Sequence, residues 1–167
     1  MATDTHTFKE TLASWASGVT VVTTVYGEER HGLTASAFSS LSMDPPLVLV
    51  CVNKGSRSDE AIKQGEAFGV SILGTDQVFW GERFAGFHGD VEDRFDGCET
   101  FTRETGSPIL TGSLGWLDCR LWAVYDGGDH HIFVGEVVEA GSDAGKKPVM
   151  YYDRAWRGVG APVDPKA

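Results

Sequence analysis

Positive charge is scarce in this sequence. Fourteen lysines and arginines stand against 24 aspartates and glutamates, a formal net charge of -10. Non-specific attraction to nucleic acid or to an anionic membrane is therefore excluded as a function class. An anionic small ligand stays open, because a few local donors outweigh a global field at close range. Cysteine is scarce too. Cys51, Cys98 and Cys119 are odd in number, far apart and form no C-x-x-C pair, so neither a disulfide framework nor a zinc ribbon is expected. Cys51 and Cys119 lie in apolar, strand-like runs, where a free thiol acts as a small hydrophobe. No apolar run is long enough to span a bilayer. The opening residues Met1 to His6 have neither the basic nor the apolar region of a secretory signal, so the cytosol is the expected location. No G-x-G-x-x-G fingerprint and no G-x-S-x-G elbow occur. Gly141 to Lys147 imitates a P-loop, but Ser142, Asp143 and Ala144 fill the place of four residues and Lys147 stands where Ser or Thr is needed. It reads as a turn.

What is present suits a globular chain. Hydrophobic residues make up 41% and charged residues 23% of 167 positions, enough for one domain with its own core. The organising stretch is Leu33 to Val52. Its first half carries the short hydroxyl side chains Thr34, Ser36, Ser39, Ser40 and Ser42. Its second half, Leu47 to Val52, is a continuous apolar run that reads as a strand buried on both faces. Asp44-Pro45-Pro46 between them predicts a turn. On local chemistry the hydroxyls serve either as turn caps or as the edge of a polar ligand.

Around this stretch, Phe8, Leu12, Trp15 and Ala16 recur at helical spacing, with Thr7 as cap and Glu10 three residues later, which predicts an amphipathic helix over 8–16. Val19 to Tyr26 and His31 to Ala37 predict a hairpin. Asn53 to Ser58 brings a glycine, two hydroxyls and two cations to a strand end, and Ser58 is placed to cap a helix over 59–64. That makes either an anion cradle or an ordinary capped loop. Ala67 to Leu73 reads as a strand and 76–84, behind Thr75, as a helix. Phe84 to Phe95 reads as a loop with one helical turn, and 96–108 has no clear pattern. Leu114 to Tyr125 and His131 to Ala140 are strands joined by Asp126-Gly-Gly-Asp129, a hairpin signal. Lys146 to Trp156 is a final strand or arm. His130 and His131, adjacent on a strand, point to opposite faces and cannot share a metal ion from there, so no metal is expected. The sum is a mainly β protein, a β-barrel with short helices at the N-terminus and between strands. One domain is expected, with a core over about 8–157 and a mobile C-terminal tail beyond.

Several segments in order resemble the flavin reductase-like family with its FMN-binding split β-barrel. They are Phe8…Trp15-Ala-Ser-Gly-Val-Thr-Val-Val-Thr-Thr24, Gly32-Leu-Thr-Ala-Ser-Ala-Phe-Ser-Ser40, Asp44-Pro-Pro-Leu-Val-Leu-Val-Cys-Val52, Phe84-Ala85, Asp93-Arg-Phe95, Gly128-Asp-His-His-Ile-Phe-Val-Gly135 and Tyr151-Tyr152. The resemblance implies a homodimer with a flavin at each subunit boundary. It places Thr34, Ala35 and Ser36 along the isoalloxazine ring, and Ser39 and Ser40 near the ribityl chain and phosphate. Cys51, Val52 and Asn53 match the strand end beside the flavin, Ser56 and Ser58 the phosphate loop, and Phe84 an aromatic wall. His130 matches the nicotinamide-facing histidine, His131 a variable position, and Tyr152 a C-terminal aromatic near the same cleft.

The activity this resemblance implies is hydride transfer from NADH, or NADPH, to FAD or FMN, with the reduced flavin passed to a partner flavin-dependent monooxygenase. The alternative from another class is a flavin- or haem-binding carrier or sensor without turnover. A pyridoxamine-phosphate oxidase-like enzyme is a weaker third reading, since it calls for a more basic phosphate site than Lys54 and Arg57 alone.

Overall fold

The computed structural model describes residues 3–89 and 91–162. The last five residues of the C-terminal tail, read above as mobile, lie outside the described residues. In chain order the elements are α1 (Thr5–Ala13), β1 (Ser17–Gly18), β2 (Thr20–Tyr26), β3 (Glu29–Ala35), β4 (Phe38–Met43), β5 (Pro46–Asn53), α2 (Arg57–Gly65) and β6 (Ala67–Ile72). A 3-10 turn (Thr75–Gln77) leads into α3 (Val78–Ala85), and then come β7 (Thr100–Phe101), β8 (Ile109–Leu110), β9 (Gly115–Gly127), β10 (His130–Ser142), β11 (Val149–Tyr152) and β12 (Ala155–Gly158).

Seven strands form one antiparallel sheet in the order β3-β2-β6-β9-β10-β5-β4, and β3 returns to within contact of β5, so the sheet curls towards a barrel. This is the split-barrel architecture expected. The long β9–β10 hairpin closes through Gly128 and Asp129, with Gly128 at φ 83°, a left-handed conformation that glycine adopts without a Cβ clash. A small sheet, β1-β11-β12, stands apart, so the expected final arm is a hairpin.

The strand buried on both faces is not the one the sequence suggests. In β5 only Val48, Val50 and Val52 are buried, while Leu47, Leu49 and Cys51 between them are half-buried. The doubly buried strand is β2, where Thr20 to Thr24 are all inside. Three threonines are tolerated there because each hydroxyl donates to a backbone carbonyl: Thr20 to Ala35 at 2.8 Å, Thr24 to Ala67 at 2.7 Å, and Thr23 to Pro108. Strand β2 therefore divides two cores. Val22 belongs to the first, with Val50, Phe68, Phe133 and Ile62 of α2. Val21 belongs to the second, with Leu73, Phe84, Phe95, Leu110 and Val149.

Several boundaries move, each for a local reason. Helix α1 starts early because the Asp4 carboxylate accepts the N–H groups of His6 and Thr7 at 2.9 and 3.0 Å, pre-empting Thr7 as cap. None of its residues is buried, and Phe8, Leu12 and the following Trp15 stand open at 52%, 52% and 74%. Helix α2 is capped by Ser56, whose Oγ accepts the Asp59 N–H at 3.1 Å, and not by Ser58, which is buried within its first turn. Helix α3 begins after the 3-10 turn, with Gln77 in the cap position in place of Thr75. Ser39, Ser40 and Ser42 lie on the edge strand β4, opposite Leu49, Val48 and Leu47, so Ser42 is a strand residue and not a turn cap. The unpatterned stretch 96–108 is held by Asp118, fully buried on β9, which accepts the Thr105 N–H at 2.8 Å and the Thr105 hydroxyl at 2.5 Å.

Candidate functional site

A cavity of about 860 Å³ opens along strand β3, a size typical of small-molecule sites. Its walls come from Gly32, Leu33 and Thr34 of β3, Val52 and Asn53 at the end of β5, Ser56 to Ser58 at the start of α2, and Phe84 at the end of α3. Residues 91–95 close the outer side, with Arg94 and Phe95 on the wall.

One wall depends on a missing side chain. A Cβ on Gly32 would stand 2.6 Å from the Phe84 ring, so glycine lets the ring lie directly on the strand. Phe95 meets Phe84 edge-on at 4.9 Å between centroids. Arg94 bridges the two supports, donating to the Phe84 carbonyl at 2.9 Å and reaching the Gly32 carbonyl at 3.4 Å. Thr34 donates its hydroxyl to the Gly81 carbonyl at 2.5 Å, which ties β3 to α3.

The opposite wall is electrostatic. Lys54 turns away to pair with Asp126 on the β9–β10 hairpin, and its hydrogen bond holds the Asp126 carboxyl below the usual carboxylate range. Arg30 pairs with Asp93 at 3.1 Å. Arg57 lines the cavity and, among the described residues, has no carboxylate within 4.0 Å. Beneath the Asn53–Ser58 loop, the buried Asp59 carboxylate accepts the Gly55 N–H at 3.2 Å and pairs with Lys63 at 3.0 Å and with His131 at 2.7 Å. Burial pushes the Asp59 carboxyl up, but the hydrogen bonds from Lys63, His131 and Gly55 outweigh it and hold the group below its ordinary range.

Residues 12–160 match the family described as Flavin reductase like domain. The chain belongs to the flavin reductase-like family. It is 42% identical over 152 residues to the reductase component of 4-hydroxyphenylacetate 3-monooxygenase from Thermus thermophilus, covering 90% of this chain and 93% of that one. It is 37% identical over 159 residues to the flavin-dependent monooxygenase reductase subunit HsaB of Mycobacterium tuberculosis, covering 93% of this chain and 83% of the relative. Among solved structures, the Streptomyces globisporus NADH:FAD oxidoreductase SgcE6 in complex with NAD and FAD fragments superimposes with a TM-score of 0.85 at 33% identity, covering 98% of this chain and 95% of that one.

Within this flavin reductase-like fold the expected site residues fall into two groups. Thr34, Val52, Asn53, Ser56, Ser58 and Phe84 line the cavity. Ala35 is buried beside it and Ser36 is exposed just after β3. Ser39, Cys51 and His130 project from the other face of the sheet, where Cys51 lies opposite Ile132 and His130 opposite Asn53. Asn53 belongs to both groups. Ser40 faces the opposite way from Ser39, beside Val48. Tyr152 sits at the tip of the β11–β12 hairpin, where Asp153 donates its N–H to Ala13 beyond the cavity walls. His130 and His131 part to opposite faces as expected. The Nδ1 of His130 meets Asp129 at 2.7 Å in solvent, and His131 reaches inward to Asp59.

Sequence reasoning missed Gly32, Arg94, Asp59 and His131 as parts of the site. Arg94 lay in a quoted motif, and its two carbonyl contacts could not be read from it. The Asp59–His131 pair, separated by 72 positions, leaves no local signal.

Proposed function

We propose that this protein is an NADH-dependent flavin reductase that passes electrons to FAD or FMN and supplies the reduced flavin to a separate flavin-dependent monooxygenase. The observation that carries this is the cavity along β3, placed within a domain whose relatives are named NADH-dependent flavin reductase and monooxygenase reductase components. The donor set fits a flavin. Phe84 over Gly32 offers an apolar wall to a flat ring, Asn53 and the β3 backbone offer polar groups to its rim, and Ser56, Ser58 and Arg57, which has no carboxylate partner among the described residues, suit a phosphate. When bound, NADH and flavin would supply the chemistry, a hydride from the nicotinamide together with one proton from solvent reducing the flavin. The protein's part is to hold two flat rings in contact. Thr34, Ala35 and Ser36 serve as the bed of the ring with Val52 beside it, while Ser39, Ser40 and Cys51 lie outside the cavity on the outer face and edge of the sheet. His130, its Nδ1 engaged by Asp129, presents Nε2 to a nicotinamide on the outer face of the sheet, whereas Tyr152, beyond the cavity walls, takes no part in this reading.

The working unit in this reading is a homodimer. The β4–β5 edge and the β9–β10 hairpin carry exposed Leu41, Met43, Trp122 and Tyr125 and half-buried Leu47, Leu49 and Cys51, apolar side chains of the kind a second subunit covers. A second subunit there covers that face and brings its residues to Ser39, Cys51 and His130. Three free cysteines suit the reducing cytosol.

The deciding experiment is NADH oxidation by the pure protein with and without added flavin. A flavin-stimulated rate supports the reading; a background rate with both FAD and FMN rejects it.

A further inference from the structure

We infer that His131 is a positioning residue for the hydride step: anchored to the buried Asp59, it aims the neighbouring His130. This rests on the flavin reductase reading and on the place of His130 within it, and adds the residue that directs His130.

The two histidines open strand β10 at the root of a hairpin tip that touches little. Val124 to Asp129 are all exposed, so packing does little to fix where the tip points. Side chains alternate across a strand, and the direction of His131 therefore sets the direction of His130. His131 is firmly held. Its Nδ1 donates to the Asp59 carboxylate at 2.7 Å, and its ring meets the buried Phe133 edge-on at 6.1 Å between centroids. The Asp59 side chain is only 3% exposed, which shields that bond from salt and water.

The restraint on His130 itself is weaker. Asp129 meets its Nδ1 at 2.7 Å, but the Asp129 side chain is 91% exposed, and a pair in open solvent is worth little. That contact turns the ring without aiming the residue. Lys54 adds a tie from the same side as Asp59. Its N–H donates to the Asp129 carbonyl at 3.0 Å, and its ammonium group pairs with Asp126. The segment that lines the cavity thus also holds the hairpin tip, and the His131–Asp59 bond is the buried member of the set.

The test is a double-mutant cycle in NADH oxidation at saturating flavin, with His131→Phe and His131→Asn made in the parent and in His130→Ala. Phenylalanine keeps a ring against Phe133 and loses the bond, whereas asparagine offers an amide N–H close to the Nδ1 position and keeps it. Lys63 and the Gly55 N–H still hold Asp59 in both. His131→Phe should lower kcat/KM for NADH about tenfold, within the range that a sub-ångström misplacement costs. His131→Asn should stay within about threefold of the parent, and flavin Kd within about twofold in both variants. In the His130→Ala background His131→Phe should cost no more than about twofold, because the residue it aims is gone. A loss of the same size in both backgrounds marks a structural role and overturns the inference. Parental NADH kinetics in His131→Phe, or a loss confined to flavin affinity, overturns it as well. Should phenylalanine not fold, His131→Leu takes its place; if neither folds, the bond serves stability and the inference falls. A parent without flavin-stimulated NADH oxidation rejects the reductase reading itself, whereas an active parent with any of these outcomes rejects only the role of His131.

Discussion

The Nδ1 of His131 lies 2.7 Å from the Asp59 carboxylate, joining strand β10 to the first turn of α2 beneath the Asn53–Ser58 loop. Lys63 and the Gly55 N–H hold the same carboxylate, so one buried anion fixes a strand, a helix and the loop that lines the cavity.

Asp59→Asn should therefore cost about 3 kcal/mol at pH 7, the usual result of removing one member of a buried charged pair. The folded carboxyl titrates below its ordinary value. Its stabilisation is complete above an unfolded value of about 3.9 and lost as pH falls through the folded value. The stability gap between parent and variant, measured by urea unfolding, should narrow below about pH 4. A gap constant from pH 7 to pH 3 would contradict this assignment.

Gly32→Ala should cost about 1–3 kcal/mol, because its Cβ meets the Phe84 ring at 2.6 Å and the ring has Phe95 behind it. Flavin affinity should fall as the wall shifts. Thermal melting and a flavin titration on the same sample check both effects, and unchanged values in both would remove Phe84 from the site.

His130→Ala should lower kcat/KM for NADH by about tenfold or more while flavin affinity stays within a few-fold, as expected when one positioned side chain is lost. Unchanged KM and kcat for NADH would end the nicotinamide-facing role.

Thiol titration of the native protein should find at most one reactive cysteine. Burial pushes the Cys119 thiol up to about 12, with Asp118 adding to it, and burial pushes Cys98 up to about 11. Both are buried, whereas Cys51 is half-buried, so two or more fast thiols at pH 8 would mean that the cores open.

Met43→Asp should weaken self-association. Met43 is 89% exposed at the β4 edge, and a carboxylate there would face the apolar surface proposed for the partner subunit. Light scattering across a dilution series reads the change; a mass that stays dimeric at every concentration would move the interface elsewhere.

Strands and their hairpins were legible in the sequence because β-branched runs and Asp126-Gly-Gly-Asp129 carry local signals. Burial was less so. The run Leu47 to Val52 and the Thr-rich β2 exchange the environments their compositions suggest, since hydroxyls that find carbonyls are as comfortable inside as valines. Caps shifted by a few residues where two candidates competed, as Asp4 did with Thr7 and Ser56 with Ser58. Within the site, Asn53, Ser56 and Ser58 fall in one local motif, and Thr34 and Phe84 in two others. The pairs Asp59–His131 and Gly32–Phe84 are contacts between distant segments, which no single-sequence period encodes.

Val21 and Val22 are consecutive, yet they pack into different cores. A single backbone segment is thus the partition between two apolar interiors, and neither interior can come apart without exposing one side of it. Melting should accordingly be one cooperative event for both. The amides of Thr20 to Thr24 should be among the last to exchange with deuterated solvent, doing so only when the whole molecule opens.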